Sequence, residues 1–346
     1  MKFAIATFHV PHPQGSSAGR QLWAVADALL ADGHDLEGWC WGPDDASLPL
    51  PQWCEWSPQP SSHGLAAHLR ALVNPRSASA QSWWMPVADD AVRWADDWAS
   101  WPAVQGAGGR SVVTVHYDAT LDAKVLGWTP ARVQDWRAQR RAVRRASDVW
   151  ALSVRVADRV DASTVPATLP IPPEPLPLRD DPVALMFADW SWPANARALR
   201  QLLDAWPSVR ARVPGAMLTI AGRGSPQTGT TAGVRVIGAV PTTLDAMSEA
   251  AILAFPCPPT SGPKLKVLDA FAAGLPVVTT PAGAEGLAVP SDAVAVAFRA
   301  SLADELVAVL SDPQRRATMA LKARAAVIER HAPSVAAAAR VALLSR

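Results

Sequence analysis

A fourteen-residue segment that contains six prolines divides this chain into two parts. It runs from Leu169 to Pro182 and reads LPIPPEPLPLRDDP. Because proline lacks an amide hydrogen and fixes its φ angle, neither a helix nor a central strand can pass through such a segment. Residues 169–182 are therefore predicted to form a semi-rigid linker. A chain of 346 residues is long enough for two domains. We expect an N-terminal domain over residues 1–168, a second domain over 183–332, and a closing helix over 333–346 that can pack back on the first domain.

Strands and helices alternate on both sides of this linker. In the first half, the apolar run Lys2–Thr7 is followed by a glycine- and serine-rich loop, a helical pattern and a second strand over Asp35–Trp41. In the second half, Ala184–Phe187 is the first of several short apolar runs separated by amphipathic segments. Strand–helix–strand alternation of this kind forms parallel sheets. The sequence therefore predicts an α/β protein with two Rossmann-like, doubly wound domains.

The stretch from Gly42 to Gly109, rich in Trp, Ser and Pro, is the hardest part of the sequence to interpret. Helices are expected over Gly64–Val73 and Val87–Trp101. Three tryptophans in the second of these recur at helical spacing, which indicates core packing. A stacking platform for a sugar or aromatic acceptor is the alternative. The three are Trp94, Trp98 and Trp101.

Bulk composition excludes several classes of protein. A net charge of +1, from 32 basic and 31 acidic residues, gives no indication of nucleic-acid binding. The three cysteines form no CxxC motif, so they predict neither a disulfide scaffold nor a zinc site and favour a cytoplasmic location. The opening apolar run is too short for a signal peptide, and no stretch of about 18 uninterrupted apolar residues predicts a membrane span.

Five arginines crowd one predicted helix near residues 131–147. A solvated helix face is the simpler interpretation of such a cluster. Attraction to anionic lipid or to an anionic acceptor is the alternative, and it leaves peripheral membrane contact open. The five are Arg137, Arg140, Arg141, Arg144 and Arg145.

A glycine-containing turn that leads into a helix carries the most informative chemistry. It reads TSGPKLKVLDAFAAGLPVVTT from Thr260 to Thr280. Free amides and the dipole at a helix N-terminus attract anions, and Lys264 and Lys266 add positive charge at the same place. One turn further along, the carboxylate of Asp269 can accept hydrogen bonds from both hydroxyls of a ribose. The segment thus predicts a nucleoside-diphosphate site, with a capped helix and solvated lysines as the alternative.

The same segment resembles the donor-binding motif of retaining GT-B glycosyltransferases of family 4. Trp192-Pro193-Ala194-Asn195 resembles the tryptophan-proline-asparagine signature of one subgroup of that family. The strand Val113–Asp118, which ends in His-Tyr-Asp, resembles an N-domain strand that ends in His-Asp. The resemblance implies a GT-B fold, in which two Rossmann-like domains with parallel sheets face each other across a cleft. It also implies a hexosyltransferase-like, nucleotide-sugar-dependent enzyme.

The resemblance assigns a ligand group to each set of candidate residues. The diphosphate would be held by Ser261, Gly262, Lys264, Leu265 and Lys266, and the ribose by Asp269. The base would be bordered by Gly222, Arg223 and Val240. Backbone amides of Gly15, Ser16 and Ser17 in the opposing domain would contact the phosphate or the sugar. The catalytic residues would be His116, beside the transferred sugar, and Lys266, against the leaving diphosphate.

Three departures from the family pattern bear on these roles. Asp269 stands where the family usually has glutamate, and Ser261 stands at the position of the motif's other glutamate. The Gly-Arg…Lys pair that often follows the first strand of the second domain is replaced by residues 188–190, Ala-Asp-Trp. Neutralisation of the phosphates would therefore fall mainly on Lys264 and Lys266.

The activity implied by the resemblance is transfer of a sugar from a nucleotide-diphosphate donor to a hydroxyl acceptor. The acceptor would be a small metabolite, a natural product or a glycan. Transfer would proceed with retention and without a metal ion or cofactor, and the chain has no DxD motif. The alternatives are a catalytically weak sugar-nucleotide-binding partner protein and a GT-B sugar-nucleotide epimerase. A lone histidine at a strand end also occurs in structural roles, which applies to His116 and to the weaker candidates His9 and His12.

Overall fold

The computed structural model describes residues 1–42, 47–57, 85, 90–105, 109–226 and 231–346. The chain forms two compact units. The first comprises Met1–Pro170 together with Pro333–Arg346, and the second comprises Ile171–Ala332. Among the described residues, no helix is both long and apolar enough to cross a membrane.

The first unit is built on a seven-stranded parallel sheet. Its strands are β1 (Lys2–Thr7), β2 (Asp35–Cys40), β3 (Cys54–Trp56), β4 (Val92–Ala95), β5 (Ser111–Val115), β6 (Asp148–Ala151) and β7 (Ser163–Thr164). They lie in the order β3-β2-β1-β4-β5-β6-β7. Among the described residues, the helices that follow these strands are α1 (Ser17–Ala31), α2 (Trp101–Val104), α3 (Ala119–Leu126), α4 (Pro130–Arg145) and α5 (Val154–Val160).

The second unit is built on a six-stranded parallel sheet. Its strands are β8 (Val183–Phe187), β9 (Met217–Ala221), β10 (Val234–Gly238), β11 (Ile252–Phe255), β12 (Val277–Thr279) and β13 (Ala295–Val296), in the order β10-β9-β8-β11-β12-β13. Its helices are α6 (Pro193–Arg212), α7 (Thr243–Ser248), α8 (Leu265–Ala272), α9 (Leu302–Leu310) and α10 (Pro313–His331), with a short 3₁₀ helix at Arg299–Ser301. A last helix, α11 (Pro333–Leu344), belongs to the first unit.

Each sheet reverses its strand order at one place. In the first sheet β1 neighbours β4, and in the second β8 neighbours β11, although other strands lie between them in the sequence. The loops that leave two such strands diverge to opposite sides and open a crevice at the carboxyl edge, where α/β proteins bind their ligands. The predicted α/β class with two doubly wound, parallel-sheet domains is confirmed.

The prediction of a helix over Val87–Trp101 is wrong. Residues 86–89 lie outside the described residues, and Val92–Ala95 is instead a central strand that pairs with both β1 and β5. All four residues of this strand are buried, so its sequence lacks the alternation of apolar and polar residues that would predict a strand. Trp94, Trp98 and Trp101 are nevertheless buried in the core, as packing required. The helix expected over Gly64–Val73 falls outside the described residues.

Helix α11 closes the first unit through a buried arginine. The Arg340 guanidinium lies 5.8 Å from the centre of the Trp94 ring and 5.7 Å from that of Trp150. It donates to the carbonyl oxygen of Ala336 at 2.8 Å and is 1% exposed. Burial lowers the pKa of Arg340 to about 10, which the nearby carboxyl of Asp96 opposes. A desolvated cation that contacts two indoles forms a strong interaction, so α11 is an integral part of this core.

A second arginine holds the end of the same helix. Arg110 donates to both carboxylate oxygens of Asp148, at 2.6 and 2.8 Å. It also donates to the carbonyl oxygens of Leu343 and Leu344, in the last turn of α11. Carbonyls at a helix C-terminus have no partner within the helix, and a cation satisfies both their hydrogen bonds and the dipole.

Replacing Arg340 tests this packing. Arg340→Ala removes both indole contacts and the cation that opposes the Asp96 carboxyl, so we expect the first unit to lose about 3 kcal/mol of unfolding free energy. Urea titration measures the change. Arg137→Ala, on the exposed face of α4, is the control and should change it by less than about 0.5 kcal/mol. Equal stability of the two variants would show that Arg340 contributes nothing to the core.

Candidate functional site

The turn between β11 and α8 is shaped by a glycine in the left-handed region. Gly262 has φ +74°, a conformation that side chains with a Cβ rarely adopt. Three residues later the chain enters α8, and among the described residues no side chain caps its first turn. The Val267 N–H already donates to the carbonyl oxygen of Lys264 at 2.7 Å, so the amides of Leu265 and Lys266 are the ones that could bind an oxyanion.

Lys264 stabilises this turn from within. Its ammonium donates to the carbonyl oxygens of Ser261, at 2.9 Å, and of Gly262. Ser261 is buried, whereas Lys264 is half-buried. Lys264 therefore adds positive charge to the turn and fixes its shape at the same time.

A carboxylate of the chain itself already engages one amide of the turn. The Gly262 N–H donates to Glu285 Oε1 at 3.0 Å. In this conformation the Gly262 N–H is therefore occupied by a carboxylate oxygen, and a phosphate at the same place would compete with Glu285 for it. Nothing in the local sequence pattern around Glu285 indicates this contact, because 23 residues separate the two partners.

Lys266 is held by a side chain from the neighbouring crossover. Its Nζ donates to Asn195 Oδ1 at 2.8 Å and lies 4.2 Å from the centre of the Phe255 ring. Asn195 is buried, and its Nδ2 donates to the carbonyl oxygen of Asp189 at 2.6 Å. Because only the amide nitrogen can donate to a carbonyl, the orientation of the Asn195 amide is fixed, with its oxygen toward Lys266.

This hydrogen bond lies at the point where the strand order of the second sheet reverses. Asn195 follows β8 and Lys266 follows β11, the two adjacent strands whose connections diverge. Asp269 comes one turn after Lys266 and is buried, and residues spaced by three share a helix face. The structure therefore brings Ser261, Gly262, Lys264, Leu265, Lys266 and Asp269 together at the switch point of one sheet.

The pKa of Lys266 reflects its surroundings. Burial lowers it to about 8, Cys257 and Asp189 oppose the shift, and Lys264 adds to it. The side chain keeps part of its surface accessible although the ammonium lies deep in the protein. An ammonium in such a place gains strongly from an anionic partner, because few water molecules compete for its remaining donors.

The residues predicted to border the base lie at the ends of β9 and β10. Gly222 has φ +118°, and a Cβ there would lie 1.8 Å from the Ala188 carbonyl oxygen, so only glycine fits. Arg223 is exposed, with its Nη2 3.7 Å from Asp189 Oδ2. Val240 lies two residues beyond the end of β10 and is partly exposed. Asp189 connects Arg223 to Lys266: its carboxylate lies near Arg223, and its carbonyl oxygen accepts from Asn195, which in turn accepts from Lys266.

Gly15, Ser16, Ser17 and His116 all belong to the first unit, so the candidate residues divide between the two units. Ser16 caps α1, accepting from the Gly19 N–H at 3.3 Å, and its Oγ lies 3.2 Å from His9 Nδ1. The Gly15 N–H donates to the carbonyl oxygen of His12 at 3.0 Å, while Ser17 is exposed. Of these amides, that of Gly15 is therefore already used within the loop.

His116 follows β5 and is anchored to the end of β4. Its Nε2 lies 2.6 Å from the carbonyl oxygen of Asp96. A carbonyl only accepts, so Nε2 carries the hydrogen, and in the neutral ring Nδ1 keeps a lone pair for another partner. Burial raises the pKa of the Asp96 carboxyl to about 6, Asp97 adds to this shift, and His116 and Arg340 oppose it. Asp118, two residues further along, caps helix α3 and accepts a hydrogen bond from the Thr120 N–H at 2.7 Å.

Comparisons with known proteins identify similar domains and folds. Residues 181–312 match the family model described as Glycosyl transferases group 1. No curated protein matches the sequence. The match covers most of the second unit, which contains the Lys266 site. The second unit is thus similar to a domain of glycosyltransferases, a class of enzymes.

Solved structures share the architecture of both units. Sucrose-phosphate synthase from Thermosynechococcus elongatus is similar with a TM-score of 0.74 and 15% identity, over 100% of this chain and 98% of that one. HepE of Anabaena, solved with UDP and glucose, has a TM-score of 0.70 and 16% identity, over 99% of each chain. S. aureus TarM has a TM-score of 0.63 and 13% identity, over 75% of this chain and 56% of that one, so the chain spans about half the length of TarM. The fold is GT-B.

Magnetic resonance of isotope-labelled lysine tests the environment of Lys266, since the chain has only five lysines. The signal that disappears in Lys266→Arg should titrate near pH 8. Asn195→Asp should raise this midpoint, because a carboxylate within hydrogen-bond distance favours the ammonium. Asn195→Leu should lower it. A midpoint that neither Asn195 variant moves would show that the two side chains do not interact.

Proposed function

We propose that this chain, whose second unit matches a glycosyltransferase group 1 domain, transfers a sugar from a nucleoside-diphosphate sugar to a hydroxyl acceptor. The observation that carries the proposal is the Lys266 ammonium, desolvated and fixed by Asn195 at a sheet switch point, one helical turn from Asp269. A diphosphate and its ribose match this spacing of a cation and a carboxylate.

The proposed donor carries UDP. HepE was solved with UDP and glucose, and with UDP-glucose, which supports a uridine nucleotide as the first donor to test. The base would lie near Gly222, Arg223 and Val240, and the ribose hydroxyls would donate to Asp269.

Lys266 and the uncapped amides of α8 would stabilise the leaving diphosphate. In the transfer step, the bond between the anomeric carbon and the phosphate oxygen breaks while the acceptor oxygen bonds to the same carbon. Negative charge grows on the departing phosphate, and fixed donors stabilise it most as it develops. We propose that the acceptor proton passes to that phosphate oxygen on the same face of the sugar, which retains the anomeric configuration and uses no metal ion.

His116 is proposed as the residue of the first unit that contacts the transferred sugar or the acceptor. With Nε2 bound to the Asp96 carbonyl, its Nδ1 can accept a hydrogen bond from a hydroxyl group. This role is one of orientation, because the proton of the acceptor goes to the leaving phosphate.

Paired variants separate the two halves of the donor site. Lys266→Ala should weaken binding of both UDP and inorganic diphosphate by about 30-fold, since a charge-assisted hydrogen bond contributes about 2 kcal/mol. Asp269→Asn should weaken binding of UDP but not of diphosphate, because only UDP has ribose hydroxyls. Calorimetry measures both. The matched control is Lys322→Ala, which removes an exposed lysine paired with Asp292. Unchanged UDP binding by Lys266→Ala would remove Lys266 from the site.

Donor affinity should depend on pH through Lys266. Below pH 8 the ammonium is already charged, so affinity for UDP stays constant. Above pH 8 binding must recharge the amine, so affinity falls by up to about tenfold per pH unit. Lys266→Arg keeps its charge throughout, and its affinity should stay level over the same range. A wild-type profile that matches that of Lys266→Arg would contradict this role.

Incubation with UDP-glucose and analysis of the products tests catalysis itself. Release of free or transferred sugar with UDP supports a transferase. Binding without any turnover would favour a sugar-nucleotide-binding partner protein, to which the Glu285 contact with the Gly262 amide would lend support. An epimerised sugar nucleotide would favour an epimerase. Once an acceptor is found, the coupling constant of the anomeric proton of the product, measured by NMR, distinguishes retention from inversion.

A further inference from the structure

Helix α4 carries a continuous cationic face on the surface of the first unit. Residues 136–145 read WRAQRRAVRR, with five arginines and no acidic residue. At about 100° per residue, all five arginines fall within an arc of ~140° around the helix. All are exposed. We call this set the arginine face: Arg137, Arg140, Arg141, Arg144 and Arg145.

The arginine face concentrates five cations on one helix. Several exposed arginines elsewhere in the described part of the chain pair with carboxylates, as Arg179 does with Glu249 at 3.2 Å and Arg299 with Asp204 at 3.3 Å. Within the described part of the chain, none of the five arginines of the face makes an ion pair. Two of them, in the last turn, complement the helix dipole. That explanation does not extend to the three in the middle of the helix.

Two tryptophans lie beside the arginine face. Trp128, just before the N-cap of α4, is 50% exposed. It contacts the partly exposed Trp136 edge-to-face, with ring centres 6.3 Å apart. Arg140 lies 5.7 Å from the centre of the Trp136 ring. An exposed indole next to guanidinium groups combines an apolar surface with a positive one.

Little of α4 is needed for packing. Of its sixteen residues only Gln139 and Ala142 are buried. Gln139 fastens the helix to the sheet, accepting from the Ala119 N–H at 3.0 Å and donating to the Tyr117 carbonyl oxygen at 2.6 Å. The exposed residues of the helix are Pro130 and the five arginines, so one side of it lies at the surface, where a partner can approach along its length.

We propose that the arginine face and Trp128 dock this protein on an anionic lipid bilayer. Such a surface supplies the dispersed negative charge that five unpaired guanidinium groups require. It also supplies the interfacial zone in which indole rings are most stable. The helix lies side-on, as amphipathic helices do at an interface. With each arginine contributing modestly, the attachment is reversible and weakens as salt is added.

Vesicle co-sedimentation of the full chain tests this docking. The probes are phosphatidylcholine vesicles and vesicles of phosphatidylcholine mixed with phosphatidylglycerol. The wild type should bind only the mixed vesicles, and less at higher salt. Arg140→Gln, Arg141→Gln, Arg144→Gln and Arg145→Gln combined should lower the partition coefficient at least about 100-fold. Trp128→Ala should lower it by a smaller factor.

A charge-matched control separates a local surface from net charge. Glutamine at four exposed, ion-paired arginines changes the net charge equally and should leave vesicle binding within about threefold. These four are Arg179, Arg212, Arg299 and Arg330. Circular dichroism verifies the fold of each variant. The proposal is overturned if both quadruple variants bind alike, if neutral vesicles bind as well as mixed ones, or if the wild type ignores vesicles yet retards a nucleic-acid duplex. None of these readouts depends on donor binding.

Discussion

The hydrogen bond from Lys266 Nζ to Asn195 Oδ1 joins the two crossovers that meet at the centre of the second sheet. One partner comes from the segment after β8 and the other from the helix after β11. Because the strand order reverses between these two strands, the loops above them part and leave their helix N-termini uncovered. The asparagine holds an ammonium group at that opening. Without it, a long and flexible side chain would have no fixed position in a place where water is scarce.

The proposed anion site of this unit combines a fixed backbone turn with the Lys266 ammonium. The turn before α8 depends on Gly262 in the left-handed conformation. The Lys264 ammonium donates to carbonyl oxygens of this turn and thereby stabilises it. Glu285 contacts the Gly262 amide at the same place. A carboxylate from the chain and a phosphate from a ligand require the same donors, so under the proposed function an incoming ligand would meet a preformed turn.

The sequence predicted the repeated elements well and the long-range contacts poorly. A strand such as Lys2–Thr7 has a clear local apolar pattern, and it was found at the predicted bounds. The strand Val92–Ala95 was missed, because a strand buried on both faces lacks the alternation of apolar and polar residues. The tryptophans in and after it also recur at a helical period. The sequence places Asn195 in a recognisable signature but does not predict its hydrogen bond to Lys266. The two residues are 71 positions apart, and no local sequence pattern indicates such a long-range contact.

The path of the chain through its two units has a consequence for biosynthesis. The second unit is one uninterrupted stretch, whereas the first is assembled from residues 1–170 and the last fourteen residues. Arg340, which contacts both Trp94 and Trp150, follows the whole of the second unit in the sequence. During synthesis the core of the first unit can therefore close only after the second unit has been translated, although most of the first unit is made earlier.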